Sequence, residues 1–425
     1  MNKSKQQSRR EFIRNVSLVT GTSVIVSSLP WMNALANENP DQTLSPSDKV
    51  RVGIIGVGSR GSLLLLHMKN IPSIEIAAVC DNYPPHFDKA KEMTNNKAKA
   101  FVDYRKLLEI KDIDAVVIAT PLYEHAHITI DALQAGKHVF CEKSMTRIPE
   151  DCLAMVNTHR ETGKILQIGH QRMFNPKYIK AIEFIRAGQL GNITQIRAYW
   201  HRNNDWRRTV PSPELEKKIN WRLYKEFSCG LMTELASHQI QVANWALGEF
   251  PDKIMGAGSI NYWKDGREVH DNVNLVYTYP GGTQLIYDSC ISNKHYGLEE
   301  QIMGSKGTME LEAGKMFSET PPPAPGILHL INNIEHEVFD NIPLGGASWV
   351  PDTPSKNKGE YILNEDLEDD GTQLELEAFT YSVKENKIDP EHIKQAYYAS
   401  IASLLGFKAI EEEKVIVVPE ELKTV

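Results

Sequence analysis

The sequence is poor in cysteine, in excess positive charge and in long apolar runs, and each shortage excludes a class of protein. Its 425 residues include five scattered cysteines and no Cys-x-x-Cys pair, so neither a disulfide framework nor a zinc site is indicated, and we expect no metal. A formal net charge of -8 argues against a nucleic-acid partner, because binding phosphates needs clustered Lys and Arg. Composition is otherwise that of a globular protein long enough for two domains.

The N-terminus has the order of features of an export signal. Residues 8–14 read SRREFIR, a mildly apolar run follows over 16–29, and Ala34-Leu35-Ala36 is a small-x-small cleavage pattern. The run is too short and too polar to span a bilayer stably, so we expect no membrane span once the signal is removed. We predict a twin-arginine signal over 1–36, a polar linker over 37–48 and a periplasmic protein, in preference to a merely basic N-terminus.

From residue 49 onward, short apolar runs alternate with helical patterns, as βαβ units do. This pattern predicts a doubly wound parallel sheet, a Rossmann domain, over residues 49–172, with a ligand crevice at the carboxyl ends of its strands. The predicted strands and helices of this domain are strands 52–57, 74–80, 114–120 and 138–141, and helices 59–69 and 126–134.

The pattern changes after about residue 172. Strands with alternating polarity and glycine turns predict an α+β domain over 173–425 with a large, mostly antiparallel sheet, so the fold class is α/β overall. A Pro-, Gly- and Asn-rich stretch over 312–370 is interpreted as a loop excursion. The other predicted elements are a helix over 176–187, a strand over 193–203, several strands within 252–311, and helices over 373–385 and 392–412.

A glycine-rich loop follows the first predicted strand and opens a helix. Its sequence is Gly56-Val57-Gly58-Ser59-Arg60-Gly61, and Asp81 ends the second strand twenty residues after Gly61. That context is typical of a dinucleotide fingerprint, in which the glycines admit the pyrophosphate and the carboxylate binds the ribose hydroxyls. Asp81 favours NAD over NADP, and Arg60 weakens that preference slightly. The alternative is a structural glycine turn followed by an accidental aspartate.

Two further segments carry candidate catalytic side chains. Cys141-Glu142-Lys143 ends a strand at the crevice, where Lys143 could hydrogen-bond a hydroxyl being oxidised and stabilise alkoxide character; the alternative is a solvated surface lysine. Glu234 and His238 are four residues apart on a predicted helix and share a face. His238 suits a general base, which Glu234 could orient, although such a pair is more often an ordinary helix-surface contact.

These pieces together resemble the family of glucose–fructose oxidoreductase, inositol dehydrogenase and MocA (Gfo/Idh/MocA). The resemblance covers most of residues 50–310. The motifs that carry it are Thr120-Pro121-x-x-x-His125, the run from Ala135 to Lys143, Gly169-His170-Gln171-Arg172, Asn175-Pro176-x-Tyr178, Gly188-x-Leu190-Gly191, and the segment from Gly230 to His238.

The resemblance implies NAD(P)-dependent hydride transfer at a sugar or polyol carbon, with Lys143 and His238 in the family's catalytic positions. It also implies a set of binding residues around them. The cofactor contacts are Gly56, Gly58, Ser59, Arg60, Gly61, Asp81, Thr120, Pro121, His125, Glu142, Lys143 and Gln171. The substrate contacts are Lys143, Arg172, Tyr178, Trp206, Glu234 and His238, where Trp206 would offer an apolar face to a pyranose ring or else lie in an ordinary loop.

The chain departs from the family pattern at three positions. Ser144 replaces a proline, Glu234 replaces the first aspartate of the Gly-rich motif, and Gln241 replaces its last aspartate. Glutamate keeps the carboxylate with a longer reach, whereas Gln241 removes a charge. We therefore expect the chemistry to be kept and the preference for a particular sugar to differ.

Three functions are consistent with the sequence. The leading hypothesis is an exported oxidoreductase that takes hydride from a sugar or glycoside hydroxyl, at C3, onto tightly bound NAD and passes it to a second keto-sugar. The alternative is a redox-neutral NAD-dependent glycosidase that resembles α-N-acetylgalactosaminidases. A sugar sensor without turnover is a third possibility, against which the presence of both Lys143 and His238 speaks. On the analogy of the fold alone, we expect a homo-oligomer.

Overall fold

The computed structural model describes residues 31–32, 45, 48–319, 358–362 and 370–425. The twin-arginine segment 8–14, the apolar run 16–29, the predicted cleavage site and most of the predicted linker lie outside the described residues. So does most of the predicted loop excursion.

The first domain confirms the predicted Rossmann fold. Its six strands form a parallel sheet in the order β3-β2-β1-β4-β5-β6. The strands are β1 (Val50–Ile55), β2 (Ile74–Cys80), β3 (Lys99–Phe101), β4 (Ala115–Ile118), β5 (His138–Glu142) and β6 (Leu166–Gly169). The helices are α1 (Ser59–Met68), α2 (Pro84–Met93), α3 (Tyr104–Leu108), α4 (His125–Gln134) and α5 (Pro149–Thr162).

Burial explains which strands could be recognised in the sequence. All residues of β4 and β5 are buried, because helices cover both faces of a parallel sheet, and such strands are continuous apolar runs. β3 has three residues, none buried, and β6 has four residues that include Gln167 and Gly169. Neither was predicted, because β3 is very short and β6 interrupts its apolar residues with a glutamine and a glycine.

The second domain contains a nine-stranded sheet in the order β14-β13-β12-β11-β7-β10-β9-β8-β15, which confirms the predicted mostly antiparallel sheet. Among the described strand pairs of this sheet, β7–β10 alone is parallel. Its strands are β7 (Ile193–His201), β8 (Lys253–Ser259), β9 (Asn272–Thr278), β10 (Gln284–Cys290), β11 (Leu298–Gly304), β12 (Gly307–Glu310), β13 (Lys315–Ser318), β14 (Glu360–Tyr361) and β15 (Ile416–Val417).

Five further α-helices are described, of which the third and the fifth pack on this sheet. They are α6 (Pro176–Arg186), α7 (Glu216–Ile219), α8 (Ser237–Leu247), α9 (Thr372–Glu385) and α10 (Pro390–Glu412), and α8 continues directly from a π-helical turn, Met232–Ala236. The π turn inserts a residue into the helical repeat at the crevice, a feature frequent at functional sites.

Two predictions for the C-terminal part of the chain need correction. The stretch 312–370 is not wholly loop, because β13 pairs with β12 and β14 pairs with β13. Helix α9, which we assigned with all of 173–425 to the second domain, packs on the first. Its Leu376 and Phe379 belong to the apolar cluster of β1 and α1, and the rings of Phe140 and Phe379 lie 5.8 Å apart.

Two residues of the predicted signal peptide are described and are buried. The ring of Trp31 lies 5.5 Å from that of Phe174, and Met32 is 1% exposed. Cleavage at the predicted site would therefore remove two buried apolar side chains from contact with the second domain. Among the described helices, none has the length and apolar character needed to cross a membrane.

Candidate active site

A cavity of about 1150 Å³ lies between the domains, at the carboxyl ends of β1, β2, β4 and β5. The first domain contributes the glycine loop and the residues that follow these strands. The second domain contributes Trp200 near the end of β7, the segment after it, and the start of α8. This is the crevice in which ligands of doubly wound sheets bind.

The glycine loop has the geometry of a phosphate cradle. Gly56 has φ +85°, and a Cβ there would lie 2.7 Å from the Thr120 nitrogen; a Cβ on Gly61 would lie 2.0 Å from the Gly56 carbonyl oxygen. Those two glycines are required by the close approach of protein backbone. A Cβ on Gly58 would meet only the His86 ring, at 3.4 Å, so the space in front of Gly58 is open to a ligand.

Asp81 ties the glycine loop to the end of β2. Its carboxylate accepts hydrogen bonds from the backbone nitrogens of Val57 (2.7 Å) and Tyr83 (2.8 Å). Burial alone would raise the pKa of Asp81, but these bonds and His86 bring it below its usual value, so the group is an anion at neutral pH. A fixed carboxylate at this place fits NAD, whose ribose offers hydroxyls, better than a 2′-phosphate.

Arg60 lines the cavity beside the glycine loop, but its guanidinium is bound to protein side chains. Its Nε donates to Glu142 Oε1 (2.6 Å) and its Nη2 to Glu375 Oε1 (3.1 Å), with a third bond from Nη1 to Thr372 (3.2 Å). The guanidinium is therefore held between two buried carboxylates and is not free to accept a 2′-phosphate. The slight leaning toward NADP that Arg60 suggested is removed.

Some of the cavity residues in and near the loop after β4 stabilise the protein, and others have polar atoms left for a ligand. His125 lines the cavity, but its ring nitrogens lie 2.9 Å from the Ser144 carbonyl and 3.0 Å from that of Thr120, so it joins two loops rather than offering a nitrogen to the cofactor. In contrast, Thr120 Oγ1 and Gln171 Oε1 are buried with no hydrogen-bond partner among the described residues. Both residues line the cavity, as does Pro121, and these two atoms suit the polar groups of a bound dinucleotide.

Lys143 lies where β5 ends, at the floor of the cavity. Its Nζ donates to the backbone carbonyls of Glu234 (2.7 Å) and Thr233 (3.2 Å), which belong to the π turn of the second domain. Burial lowers the pKa of Lys143. An ammonium has three donors, so one N–H remains for an oxygen in the cavity. The structure thus excludes the interpretation of Lys143 as a solvated surface lysine.

His238 opens the regular part of α8 and lines the same cavity. Its ring lies 5.4 Å from that of Trp200 and 6.4 Å from that of His170. Burial, reinforced by the charges of Lys143 and Arg172, holds the pKa of His238 well below its ordinary value. The imidazole is therefore neutral at pH 7 and can accept a proton.

Glu234 is not positioned to orient His238. Its carboxylate pairs with Arg222, Nε to Oε2 at 2.6 Å, and no hydrogen bond joins it to His238 in the described part of the chain. Burial would raise the pKa of Glu234, but Arg222 and Lys143 bring it below the usual value. Both groups remain on the cavity wall, and Arg222, which no motif had indicated, sets the charge state of Glu234.

Two predicted substrate contacts, Arg172 and Tyr178, lie outside the cavity. So does Gln241, which we expected to affect the preference for a particular sugar. Arg172 forms a buried ion pair with Glu300, and the Tyr178 hydroxyl lies within hydrogen-bond distance of two carboxylates, those of Glu300 (2.8 Å) and Glu312 (2.7 Å). These side chains stabilise the joint between α6 and the sheet, so we withdraw them as substrate contacts. Gln241 is fully buried inside the second domain and does not line the cavity.

Three tryptophans line the cavity together with Lys143 and His238. They are the predicted Trp206, which is half-buried, together with Trp200 and Trp221, which the sequence had not singled out. Indole faces bind the C–H faces of sugar rings, while the neighbouring amide and guanidinium groups can bind hydroxyls.

No metal chemistry is suggested by the part of the chain that the structure describes. Within the described ranges, no group of three or more His, Cys, Asp or Glu side chains is arranged to hold a metal ion. Its five cysteines are free thiols, four of them buried.

Comparisons with known proteins agree with the fold. Residues 50–170 match the model of an oxidoreductase family with an NAD-binding Rossmann fold, and residues 178–310 match a GFO/IDH/MocA C-terminal domain. An inositol 2-dehydrogenase of Salmonella typhimurium (strain LT2) is 30% identical over 268 residues, which cover 62% of this chain and 74% of that protein.

A second relative and a solved structure extend the comparison. A glycosyl hydrolase family 109 protein of Shewanella sp. (strain MR-7) is 30% identical over 293 residues, covering 61% of this chain and 62% of that protein. The structure of a levoglucosan dehydrogenase in complex with NADH and L-sorbose superposes with a TM-score of 0.68 at 19% identity, covering 88% of this chain and 99% of that one. At that identity the superposition shows a shared fold.

Proposed function

Because the chain belongs to the Gfo/Idh/MocA family of NAD-dependent sugar and inositol oxidoreductases, we propose that it takes hydride from C3 of a sugar or glycoside onto tightly bound NAD. The observation that carries the proposal is the meeting of Lys143 and His238 in one cavity with the glycine loop. One group can bind the reacting oxygen as a cation, and the other can accept its proton.

The residues of the second domain prepare this chemistry. Two N–H groups of the Lys143 ammonium donate to the carbonyls of Thr233 and Glu234. Because the ammonium is tetrahedral, these two bonds also set the direction of the third N–H. A cationic donor in a half-buried site stabilises negative charge that develops on the substrate oxygen. NAD+, when bound, accepts the hydride. The hydroxyl proton passes to neutral His238, whose pKa burial has already lowered.

Oxidation at C3 has a chemical consequence that suits a glycoside. A ketone at C3 acidifies the C–H at C2, and loss of that proton allows elimination of the substituent at C1. We therefore place the reaction in glycoside breakdown. The family 109 relative gives this proposal its second form, a redox-neutral glycosidase that releases a reducing sugar without net oxidation.

The products distinguish the two forms. Purified protein incubated with a panel of glycosides should release a 3-keto product and accumulate reduced cofactor if it is a dehydrogenase. Net hydrolysis of a chromogenic glycoside with no keto-sugar would favour the glycosidase instead. Protein whose bound NAD stays oxidised with every sugar, and which releases no aglycone, would contradict both forms.

The proposal includes export by the twin-arginine pathway, supported by the SRREFIR segment and the Ala34-Leu35-Ala36 pattern. An exported enzyme would carry NAD with it and return the hydride to a second keto-sugar, because no soluble NAD pool exists outside the cytoplasm. Cell fractionation tests this: the wild type should be periplasmic, and a variant with Arg9→Lys and Arg10→Lys should stay in the cytoplasm. Equal distribution of the two would contradict export.

We also propose that the protein is a homo-oligomer. Met255 on β8 and Val417 on the neighbouring β15 are 45% and 66% exposed on the outer side of the nine-stranded sheet, where a second copy could cover them. Light scattering on the purified protein should give a multiple of 48.0 kDa less any removed signal, and a monomer would contradict the proposal.

A further inference from the structure

A segment of the second domain crosses the mouth of the cavity and contacts the first domain at the cofactor loop. This strap, residues 203–224, follows β7 and faces the glycine loop. Arg208 Nη2 donates to Ser59 Oγ (2.9 Å), and Lys218 Nζ donates to the Asn82 carbonyl (3.1 Å). One contact reaches the first residue of α1, and the other reaches the residue after Asp81.

The backbone of Arg208 is fixed by a buried amide. The Asn220 side chain, on a residue only 2% exposed, accepts from the Arg208 nitrogen (2.7 Å) and donates to the Arg208 carbonyl (2.9 Å). A side chain that pairs with both backbone groups of one residue holds that residue in one place. The direction from which Arg208 approaches Ser59 is therefore set before any ligand binds.

The base of the strap is held by an ion-pair cluster. Arg207 pairs with Asp265 (Nε to Oδ2, 3.0 Å) and with Glu216. Arg267, whose side chain is fully buried, also pairs with Asp265 (2.8 Å) and donates to the Asp205 carbonyl (2.6 Å). Because several linked, partly buried ion pairs restrain a segment more than a single surface pair does, the base of the strap is held in one conformation.

Arg208 has no acidic partner of its own. No carboxylate in the described residues forms an ion pair with it, and the nearby charge is that of Arg222, another cation. Ser59 is the first residue of α1, where the dinucleotide fingerprint places the pyrophosphate at the helix N-terminus. A guanidinium has five donors in a planar fork that matches phosphate oxygens, and the bond to Ser59 uses one of them.

We propose that Arg208 binds the pyrophosphate of NAD from the second domain, so that the strap closes over the cofactor. The inference rests on the proposed use of NAD as a bound cofactor. Ser59 accepts from Arg208 and keeps its own O–H to donate to a phosphate oxygen. NAD bound in this way cannot leave until the strap opens, so the strap makes the cofactor slow to dissociate.

The rate of cofactor release tests this role without any sugar. NADH dissociation is measured by stopped-flow displacement of bound NADH with excess NAD+, followed by fluorescence. Arg208→Gln should release NADH roughly 10- to 100-fold faster than the wild type, the effect of losing one hydrogen bond to a charged group. Arg208→Lys should lie between the two, because it keeps the charge and loses the fork.

A matched control comes from the same strap. Lys217 also lines the cavity, but its ammonium pairs with Glu226 of its own domain, so Lys217→Gln should release NADH at the wild-type rate. If Arg208→Gln releases NADH at the wild-type rate, or if Lys217→Gln accelerates release as much, the proposal is overturned.

A measurement on the wild type covers the case in which the Arg208 variant does not fold. Hydrogen exchange over residues 203–224 should slow when NAD is added, because the closed strap is ordered by the phosphate contact. Unchanged exchange in this segment would overturn the proposal. If the wild type releases NAD slowly but no sugar reduces the bound NAD, the proposed function is refuted and the role of Arg208 is not.

Discussion

Replacing Lys143 with glutamine should slow hydride transfer far more than it destabilises the protein. The Lys143 ammonium donates to two backbone carbonyls and has one N–H left for the substrate oxygen. Glutamine has no charge and cannot supply a cationic donor at that place. Removing one donor to a developing oxyanion costs about 3–4 kcal/mol in other enzymes, so we expect a rate roughly 10²- to 10³-fold lower.

The chain contains a closely matched control for this variant. Lys137 immediately precedes β5 as Lys143 follows it, and its Nζ also donates to two backbone carbonyls, those of Ile110 (2.7 Å) and Ile113 (2.9 Å). Lys137 lies outside the active-site cavity. Each glutamine variant loses two charge-assisted hydrogen bonds, so each should lower the free energy of unfolding by about 1–3 kcal/mol.

The assay is single-turnover reduction of bound NAD, followed at the absorbance band of reduced nicotinamide after mixing with glycoside. Lys143→Gln should retain NAD and reduce it slowly, while Lys137→Gln should reduce it at the wild-type rate. Denaturant titration of both variants checks that their stabilities fall by similar amounts. Equal rates for the two variants would refute the role of Lys143, because the loss would then follow stability and not position.

Three further predictions follow from the charges around the cavity. For His238→Asn we expect a 10²- to 10⁴-fold lower turnover, which rises with pH as hydroxide replaces the base. The turnover of the wild type should not change with pH through neutrality, because the pKa of His238 lies well below 6.5. A wild-type turnover that falls below pH 7 would contradict this. Arg222→Leu should raise the pKa of Glu234 and lower the free energy of unfolding, measured by denaturant titration, by about 1–3 kcal/mol. Arg222→Lys should be nearly as stable as the wild type. Equal losses of stability in the two variants would show that the charge of Arg222 is unimportant. Asp81→Asn should weaken NAD binding roughly 10- to 100-fold and reduce the ratio of the affinities for NAD and NADP, which calorimetry with both dinucleotides measures. An unchanged ratio would contradict the contact between Asp81 and the ribose.

The elements that could be predicted from the sequence are those with local patterns. The glycine loop, Asp81 and Lys143 each follow a buried strand, so strand polarity and order place them at one end of the sheet. His238 lies on a helix whose apolar pattern is continuous. These residues do line one cavity.

The errors arose where side-chain direction depends on distant partners. The guanidinium of Arg60 is held by Glu375, 315 residues later in the chain, and that of Arg172 by Glu300, 128 residues later. A sequence motif indicates where the backbone of a residue lies, but it does not indicate which partner its side chain contacts. Arg208 was missed for the same reason, because its contact with Ser59 spans 149 residues and belongs to no motif.

Helix α9 illustrates the same limit for whole elements. Its amphipathic pattern predicted a helix over 373–385 correctly. The pattern did not indicate that its apolar face covers the Rossmann sheet, where Phe379 meets Phe140, since either domain offers an apolar surface. Contacts of this kind are decided by packing in three dimensions.

If the protein itself removes hydride from C3 of a glycoside, an isotope at that carbon must appear in the cofactor. Purified protein with its bound NAD+ is mixed once with a glycoside deuterated at C3 alone, and the cofactor is then released and weighed by mass spectrometry. We expect one deuterium in the reduced cofactor and a slower reduction than with the unlabelled sugar. Reduced cofactor without deuterium, or no reduction with any glycoside, would contradict it.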